Sequence, residues 1–364
     1  MTDRQTDRQT DRQTDRQTDR QTDRQTDRQN NCIDLFKFIM AIAVVAIHTH
    51  PLENCTSGDL LKIYEIMVNM AVPFFFLASG YFLGMKMSWP YSENVNDINR
   101  IIKQLKRIIQ MYLIWTAIYL PLAIYHFISL KTIPIKAVLI YIRGFIFIGE
   151  QYNSWPLWYL LSTIYALLII YLLFKLKKAT EINLILLSVI ASIVSIGLTE
   201  LVNYEGDLSF TLQNIQKLVV YSISSGRIFR GMIYIPIGML LANKKVSSAV
   251  SSLVLIIGFV VAFFTNNNII SSYLLIVISI AFFELVKSAK LENRKIYLKL
   301  RSLSTTIYLV HMYVWTFYYK IVYGEKTYGL DSFLATLIIS ILVCLVINLK
   351  SKIKGTRLSQ VIRL

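Results

Sequence analysis

Charged residues are scarce in this sequence: Asp, Glu, Lys and Arg together make up 16% of the 364 residues, whereas hydrophobic residues make up 55%. A soluble domain carries about 25% charged residues, so this composition excludes an ordinary soluble protein and indicates one that crosses a membrane several times. Cysteine is also rare. The three thiols, Cys32, Cys55 and Cys344, are too scattered for a disulfide framework or a zinc motif, and we expect no structural metal.

Negative charge is in deficit as well, because 22 acidic residues face 38 Lys and Arg and leave a net charge of +16. If the amino terminus is cytoplasmic, most of the Lys and Arg beyond residue 29 fall in the cytoplasmic connections between the predicted spans. Since cytoplasmic loops are enriched in Lys and Arg, both termini are predicted to be cytoplasmic. A protein that binds nucleic acid is disfavoured, because the charge is divided among short loops and does not cover one face.

Apolar segments long enough to cross a hydrocarbon core of about 30 Å predict an all-α polytopic bundle of about ten transmembrane helices. Residues 133–149 are left open as an additional span or as a helix lying in the membrane interface. We assign residues 30–350 to this membrane domain and residues 351–364 to a basic cytoplasmic tail. The predicted spans are residues 33–50, 63–84, 108–128, 157–174, 182–199, 228–242, 247–264, 269–286, 304–320 and 331–349.

The chain begins with a repeat, since residues 2–29 are seven copies of the tetrapeptide TDRQ. A segment without apolar residues cannot bury a core, so residues 1–29 are predicted to be a disordered, low-complexity tail. The codons ACA GAC AGA CAG encode this tetrapeptide and are the four-base unit ACAG written three times. We hypothesise that slippage in such a tract switches expression on and off, as in phase-variable enzymes that modify bacterial surfaces. The alternative is a selected linker or a wrongly assigned start codon.

The first predicted span contains ionisable residues on one helix face. In KFIMAIAVVAIH, residues 37–48, a separation of eleven positions places Lys37 and His48 on almost the same face, about 16 Å apart along the axis. Asp34 lies on that face one turn earlier. Ionisable groups inside a span are costly and mark functional sites, and His48 has the chemistry to accept a proton near neutral pH. The alternative is that these residues reach the two membrane boundaries.

Five segments together resemble one known family. Lys37, ten intervening residues and His48 resemble the [Arg/Lys]-x10-His motif in the first helix of the type 3 membrane acyltransferases, which O-acetylate bacterial surface polysaccharides. The resemblance covers residues 30–350. The further segments that resemble this family, in the same order, are VPFFFLASGYFLG at 72–84, RIIKQLKR at 100–107, SWPLWYLL at 154–161 and LSTTIYLVHMYVW at 303–315.

One position departs from the pattern of the better-known family members, because Thr163 stands where they have a glutamate. This resembles a branch with a Trp-aromatic-Leu motif. That branch includes amino-sugar and exopolysaccharide acetylases and also the membrane half of certain serine racemases, where the domain has been thought to transport. The substrate is therefore less well defined by the resemblance than the fold is.

The resemblance implies an integral membrane O-acyltransferase, in the first place an acetyltransferase, with acyl-CoA as co-substrate and no permanently bound cofactor. The reaction needs a base for the acceptor hydroxyl or a nucleophile for the acyl group, and His48 suits both roles. Asp34 or Glu284 is the expected carboxylate partner of His48. The phosphates of CoA need cations, for which the candidates are Lys37, Arg100, Lys103, Lys106 and Arg107.

The acceptor implied by the resemblance is an envelope glycan or a lipid-linked sugar at the bacterial inner membrane, within surrounding lipid. For several acceptor-site candidates, helix packing or anchoring at the interface is an equally open role. A transporter or flippase that uses the same polar cavity is the alternative function. The oligomeric state is left open. The residues predicted to contact the acceptor are Ser79, Trp158, Arg230, His311 and Glu284.

Overall fold

The computed structural model describes residues 30–91 and 95–354, with side chains described as far as residue 347. The predicted tail at residues 1–29 and most of the predicted tail at residues 351–364 lie outside this part. The described chain is built from helices in a single membrane bundle, which confirms the predicted all-α polytopic class.

Thirteen α-helices follow one another in the described residues, with a π-helical turn at Gly144–Ile148 and a 3₁₀ turn at Gly226–Phe229. In chain order they are α1 (Asn31–Thr49), α2 (Gly58–Asn69), α3 (Ala71–Gly84), α4 (Val95–Ser129), α5 (Pro134–Arg143), α6 (Leu157–Lys175), α7 (Glu181–Asn203), α8 (Phe210–Ile223), α9 (Arg230–Leu241), α10 (Ser248–Phe264), α11 (Asn268–Ser288), α12 (Ile296–Val322) and α13 (Leu330–Lys354).

Every segment predicted to span the membrane is helical, and seven spans in the described part are long and apolar enough to cross a membrane. One of the seven is Gly58–Gly84, which joins α2 and α3. The α10 helix has 17 residues and α9 only 12, so the predicted span at 228–242 is too short to cross by itself. The ten residues of α5 rise about 15 Å, which favours an interfacial helix over an additional span.

The ends of α1 are fixed by local chemistry. The side chain of Asn30 caps the amino end by accepting hydrogen bonds from the backbone amides of Cys32 and Ile33, both at 3.1 Å. The carboxyl end stops at His50, which adopts a left-handed conformation with φ of 45° directly before Pro51. These two signals set the length of α1 and thereby the positions of its ionisable residues.

The centre of the bundle depends on close backbone contact between α3 and α9. A Cβ atom added to Gly80 would overlap the backbone of Ile235, and one added to Gly238 would overlap the backbone of Leu77. Small residues allow helices in a membrane to approach in this way. Gly80 therefore packs helices together, and the neighbouring Ser79 is held at the edge of this contact.

Candidate functional site

A cavity of about 860 Å³ opens between α1, α3, α4, α6 and α12, and cations crowd one end of it. We call it the basic cavity. Four of its cations were predicted from the sequence as phosphate ligands, whereas the predicted Lys106 is exposed and is not part of the lining. The cationic side chains that line the basic cavity are Lys37, Lys86, Arg100, Lys103, Arg107 and Arg301.

The other end of the basic cavity is lined by hydroxyl groups and aromatic rings. Ser79 and Tyr159 share a hydrogen bond of 2.9 Å between their hydroxyl oxygens. The ring of Tyr308 lies 5.5 Å from those of both Tyr159 and Phe75, measured between centroids. Because Tyr308 follows Arg301 by seven residues on α12, about 10 Å of helix separates the two ends. The cavity therefore changes from strongly cationic to neutral along its length.

Two helices with matching patterns form one wall. On α1, Lys37 precedes His48 by eleven residues, and on α12, Arg301 precedes His311 by ten. The two helices pack against each other in register, since an Arg301 nitrogen lies 3.8 Å from a carboxylate oxygen of Asp34 while the rings of His48 and His311 stack at 5.3 Å. Each helix thus presents a cation at one end and an imidazole at the other.

The histidine pair, His48 and His311, sits just beyond Tyr308, whose ring centroid is 6.3 Å from that of His311. His311 is fully buried, and its Nδ1 lies 3.1 Å from the carbonyl oxygen of Ile307, so Nδ1–H donates to that oxygen. The Nε2 atom is then an acceptor, and it has no hydrogen-bond partner among the described residues. His48 is half-buried and also contacts the ring of Trp155 at 5.0 Å.

The expectation that Asp34 orients His48 is corrected by the geometry of α1. Fourteen residues of continuous helix separate them, which is about 21 Å, so the two side chains do not touch. Asp34 is 1% exposed, and its ionic partner among the described residues is Arg301. Its carboxylate therefore belongs to the cationic end of the basic cavity, where it faces Arg301 across the α1–α12 contact.

The predicted residues Glu284, Trp158 and Arg230 do not line the basic cavity. Glu284 pairs with Lys287 at 2.6 Å and accepts a hydrogen bond from the backbone amide of Val246, so it cannot serve as the carboxylate partner of His48. Trp158 is buried beside Arg230, whose guanidinium carbon lies 5.9 Å from the indole centroid. These three residues were predicted to contact the acceptor, and the lining of the basic cavity does not support that prediction.

The residues of the basic cavity that sequence reasoning missed include two cations, Lys86 and Arg301, and two tyrosines, Tyr159 and Tyr308. A signal for two of them was available on α12. In RSLSTTIYLVH, Arg301, Tyr308 and His311 lie at helical spacings of seven and ten, which repeats the polar face of α1. Lys86 and Tyr159 carried no comparable signal, since their position depends on how α3 and α6 pack against α1.

The fold and cavity define a multi-pass membrane protein with a cavity between its helices that is cationic at one end and ends near two imidazoles. A family model described as an acyltransferase domain matches residues 30–349, nearly all of the chain beyond the repeats. The chain therefore belongs to the type 3 acyltransferase family, and it is an acyltransferase.

Curated relatives match only part of the chain. It is 36% identical to an amino-acid racemase of Enterococcus faecalis over 146 residues, which is 40% of this chain and 20% of that protein. It is 44% identical to a serine/alanine racemase of Enterococcus gallinarum over 101 residues, which is 26% of this chain and 14% of that protein. The matched segments thus span a fifth or less of these relatives' lengths. No solved structure matches the chain.

Proposed function

We propose that the protein is a bacterial inner-membrane O-acyltransferase, with acetyl as the transferred group, that carries it from cytoplasmic acyl-CoA to a hydroxyl of an envelope glycan. The observation that carries this proposal is the gradient along the basic cavity, from six cations at one end to Tyr308 at the other, with the histidine pair just beyond Tyr308. A donor with a highly charged head and a thin reactive arm fits such a gradient.

The cationic end suits the phosphates of CoA. Arg100, Arg107 and Arg301 offer planar guanidinium groups for bidentate phosphate contacts, while Lys37 and Lys103 add point charges. The rise of about 16 Å from Lys37 to His48 is comparable to the length of the pantetheine arm. With the phosphates bound at the cations, the thioester reaches the neighbourhood of Tyr308 and the histidine pair.

His48 is the proposed base. Its free imidazole nitrogen takes the proton of the acceptor hydroxyl while the hydroxyl oxygen attacks the thioester carbon. The C–S bond then breaks, and the proton returns from His48 to the CoA sulfur, which leaves as a thiol. The products are an acyl ester on the glycan and free CoA. Transfer through an acyl-imidazole on His48 gives the same products, and a burst of acylated enzyme distinguishes that route.

The proposed orientation follows the positive-inside rule. If the basic cavity opens to the cytoplasm, Lys86, Arg100, Lys103 and Arg107 all lie on the side where Lys and Arg are retained. Acyl-CoA is produced in the cytoplasm, so its head group meets this end first. His48 then lies toward the outer side, where envelope glycans are assembled.

The direct test uses the purified protein in proteoliposomes with acetyl-CoA and surface glycan from a strain that lacks the gene. Mass spectrometry of the glycan is expected to show the gain of one acetyl group per modified sugar with the wild-type protein and none with His48→Ala. Acetylation that persists in His48→Ala would overturn the role of His48.

The same vesicles address the transporter alternative. If the wild-type protein acetylates no glycan, and if it moves a labelled sugar or amino acid across vesicles without acyl-CoA in a His48-dependent way, then the cavity serves transport. Solute movement that does not depend on His48 supports neither acyl transfer nor transport through this cavity. A transporter does not require the six cations that meet at one end of the basic cavity.

We also propose that expression is phase-variable. Residues 2–29 are exact repeats, and their codons are compatible with an ACAG tract. Sequencing the gene in single colonies is expected to show tract lengths that differ by one four-base unit, with acetylated glycan only in the in-frame colonies. Mixed synonymous codons in place of an ACAG tract would refute this.

A further inference from the structure

A second cavity of about 350 Å³ lies at the other end of α4 from the basic cavity. We call it the polar pocket. It is bordered by the end of α4, by α5 and the π-helical turn after it, by the loop at residues 149–156 and by the end of α8, and it is open on one side. Its volume is in the range of small-ligand sites. The polar and aromatic side chains that line it include His126, Arg143, Glu150, Gln151, Tyr152 and Ser224.

The polar groups of this pocket are held in place by contacts outside it. Gln151 donates its side-chain amide to the carbonyl oxygen of Tyr141 at 2.8 Å and its backbone amide to Ser154 at 2.7 Å. Glu150 is 21% exposed and faces Arg227 at 3.5 Å. Burial raises the pKa of the Glu150 carboxyl, while Arg227 opposes that rise. Such fixed groups are preorganised to bind a ligand with several hydroxyl groups.

Arg143 provides an independent indication of a ligand. Its Nε atom is buried and has no hydrogen-bond partner among the described residues, although the guanidinium carbon lies 4.9 Å from the centroid of the Tyr221 ring. A buried donor left unpaired costs about 1 to 3 kcal/mol. A ligand that draws the Arg143 guanidinium toward the pocket would give this donor an acceptor, such as a sugar hydroxyl or ring oxygen.

Backbone strain is concentrated around the same pocket. Ser224 lines it with φ of 62°, while Lys131 with φ of 50° and Asn153 with φ of 53° are neighbours in sequence of the lining residues Thr132 and Tyr152. These are left-handed conformations that non-glycine residues rarely adopt, and such strain clusters at functional sites. The π-helical turn at Gly144–Ile148 is a further irregularity that is frequent at such sites.

The polar pocket is connected to the histidine pair by aromatic rings. The rings of His126 and Tyr152 stack at 4.2 Å and form one wall of the pocket. The ammonium group of Lys326 lies 5.6 Å from the Tyr152 ring and 5.5 Å from the Trp155 ring, and Trp155 in turn contacts His48 at 5.0 Å. Aromatic rings with polar groups beside them provide large contact area at low entropic cost.

We infer that the polar pocket is a second sugar subsite, which holds one unit of an oligosaccharide acceptor while a neighbouring unit presents its hydroxyl to His48. This inference rests on the proposed function and names its substrate class. Since Tyr152, Lys326 and Trp155 separate the pocket from His48, a single sugar does not occupy both positions. The acceptor is therefore a saccharide of at least two units.

The test compares two acceptor lengths. Surface glycan from a strain lacking the gene is hydrolysed, and single sugars and oligosaccharides are supplied separately with acetyl-CoA to the protein in proteoliposomes. Arg143→Ala and Gln151→Ala are expected to raise the KM for the oligosaccharides about tenfold, because each removes a polar contact. Neither variant is expected to change the KM for the single sugars or for acetyl-CoA.

Lys136→Ala is the matched control, since Lys136 is an exposed basic residue on α5 that does not line the pocket. Equal KM values for the oligosaccharides in Arg143→Ala, Gln151→Ala and the wild type would overturn the subsite while leaving the transfer reaction intact. If the two variants raise the KM for single sugars as much as the KM for oligosaccharides, the subsite is also overturned, because such an unselective change indicates a structural defect. If the wild-type protein acetylates neither acceptor, the proposed function itself fails.

Discussion

Helices α1 and α12 carry the same arrangement, yet their histidines are held differently. Each helix presents a cation to the basic cavity and an imidazole ten or eleven residues later. His311 is fully buried, with its ring anchored to the Ile307 carbonyl, whereas His48 is half-buried beside Trp155 and its ring makes no hydrogen bond with the described residues. The free imidazole is suited to chemistry on a substrate, and the anchored one is suited to support it.

The difference also shows what a membrane bundle demands of ionisable groups. A charge inside a span is costly unless it faces a partner or a polar cavity. The cations satisfy this at the basic cavity, and Asp34 satisfies it against Arg301. The two imidazoles stack on each other. The two helices therefore form one packed pair, which we propose acts as a unit in the transfer reaction.

The largest effect is expected at His48. We predict that His48→Ala lowers kcat for acyl transfer by 10²- to 10⁴-fold, the typical contribution of a general base, while binding of CoA is unchanged. Steady-state kinetics and a CoA binding measurement check this. His50→Asn is the matched control, because His50 is exposed two residues away and asparagine tolerates its left-handed backbone. An equally large fall in kcat in His50→Asn would show that any substitution at this end of α1 lowers activity.

A smaller loss is expected at His311. His311→Ala removes the ring that stacks on His48 and is predicted to lower kcat about tenfold with little change in the KM for acyl-CoA. The pH dependence of kcat tells whether His311 assists His48 or only packs against it. If His311 assists, its removal changes the titration of His48 in the complex and so shifts the pH profile. An unchanged pH profile with a lower melting temperature would assign His311 to packing alone.

The polar face of α1 could be predicted from the sequence, whereas the matching face of α12 could not. The apolar run from Lys37 to His48 is bounded by two ionisable residues, so its polar face is visible in the sequence. On α12 the corresponding residues are embedded among Ser, Thr and Tyr, and the face is not distinct. The contact of Asp34 with Arg301 joins residues far apart in the chain, so only helix packing reveals it. Sequence likewise could not exclude Lys106 or Glu284 from the site.

The two cations, Lys37 and Arg301, are predicted to affect binding more than chemistry. A hydrogen bond to a charged group contributes about 1.5 to 3 kcal/mol, so each alanine variant is expected to raise the KM for acyl-CoA at least tenfold. Lys290→Ala, an exposed residue outside the cavity, is the control. Because Asp34 is close to both cations, the double variant is expected to be less than additive. A large fall in kcat at saturating acyl-CoA would contradict this division.

Asp34→Asn is expected to have a smaller effect. The change removes the negative charge opposite Arg301, but Arg301 is 38% exposed and partly screened by water. A two- to fivefold change in the KM for acyl-CoA is predicted, with kcat close to that of the wild type. Loss of kcat comparable to that of His48→Ala would reinstate Asp34 as a catalytic partner.

The smallest effect is expected at Lys106. This residue lies among the basic residues of α4 in sequence but outside the lining of the basic cavity. Lys106→Ala is predicted to change the KM for acyl-CoA less than twofold, whereas Lys103→Ala on the same helix raises it several-fold. Equal shifts in the two variants would indicate that net charge, and not the cavity, attracts the donor.

The most direct test of the central claim is transfer across a sealed membrane. Wild-type protein is reconstituted in one orientation, labelled acetyl-CoA is supplied only on the side of the basic cavity, and unmodified glycan is placed only on the opposite side. The account predicts label on the glycan with all CoA remaining on its original side, and no label with His48→Ala. Labelling that requires donor and glycan on the same side would contradict it.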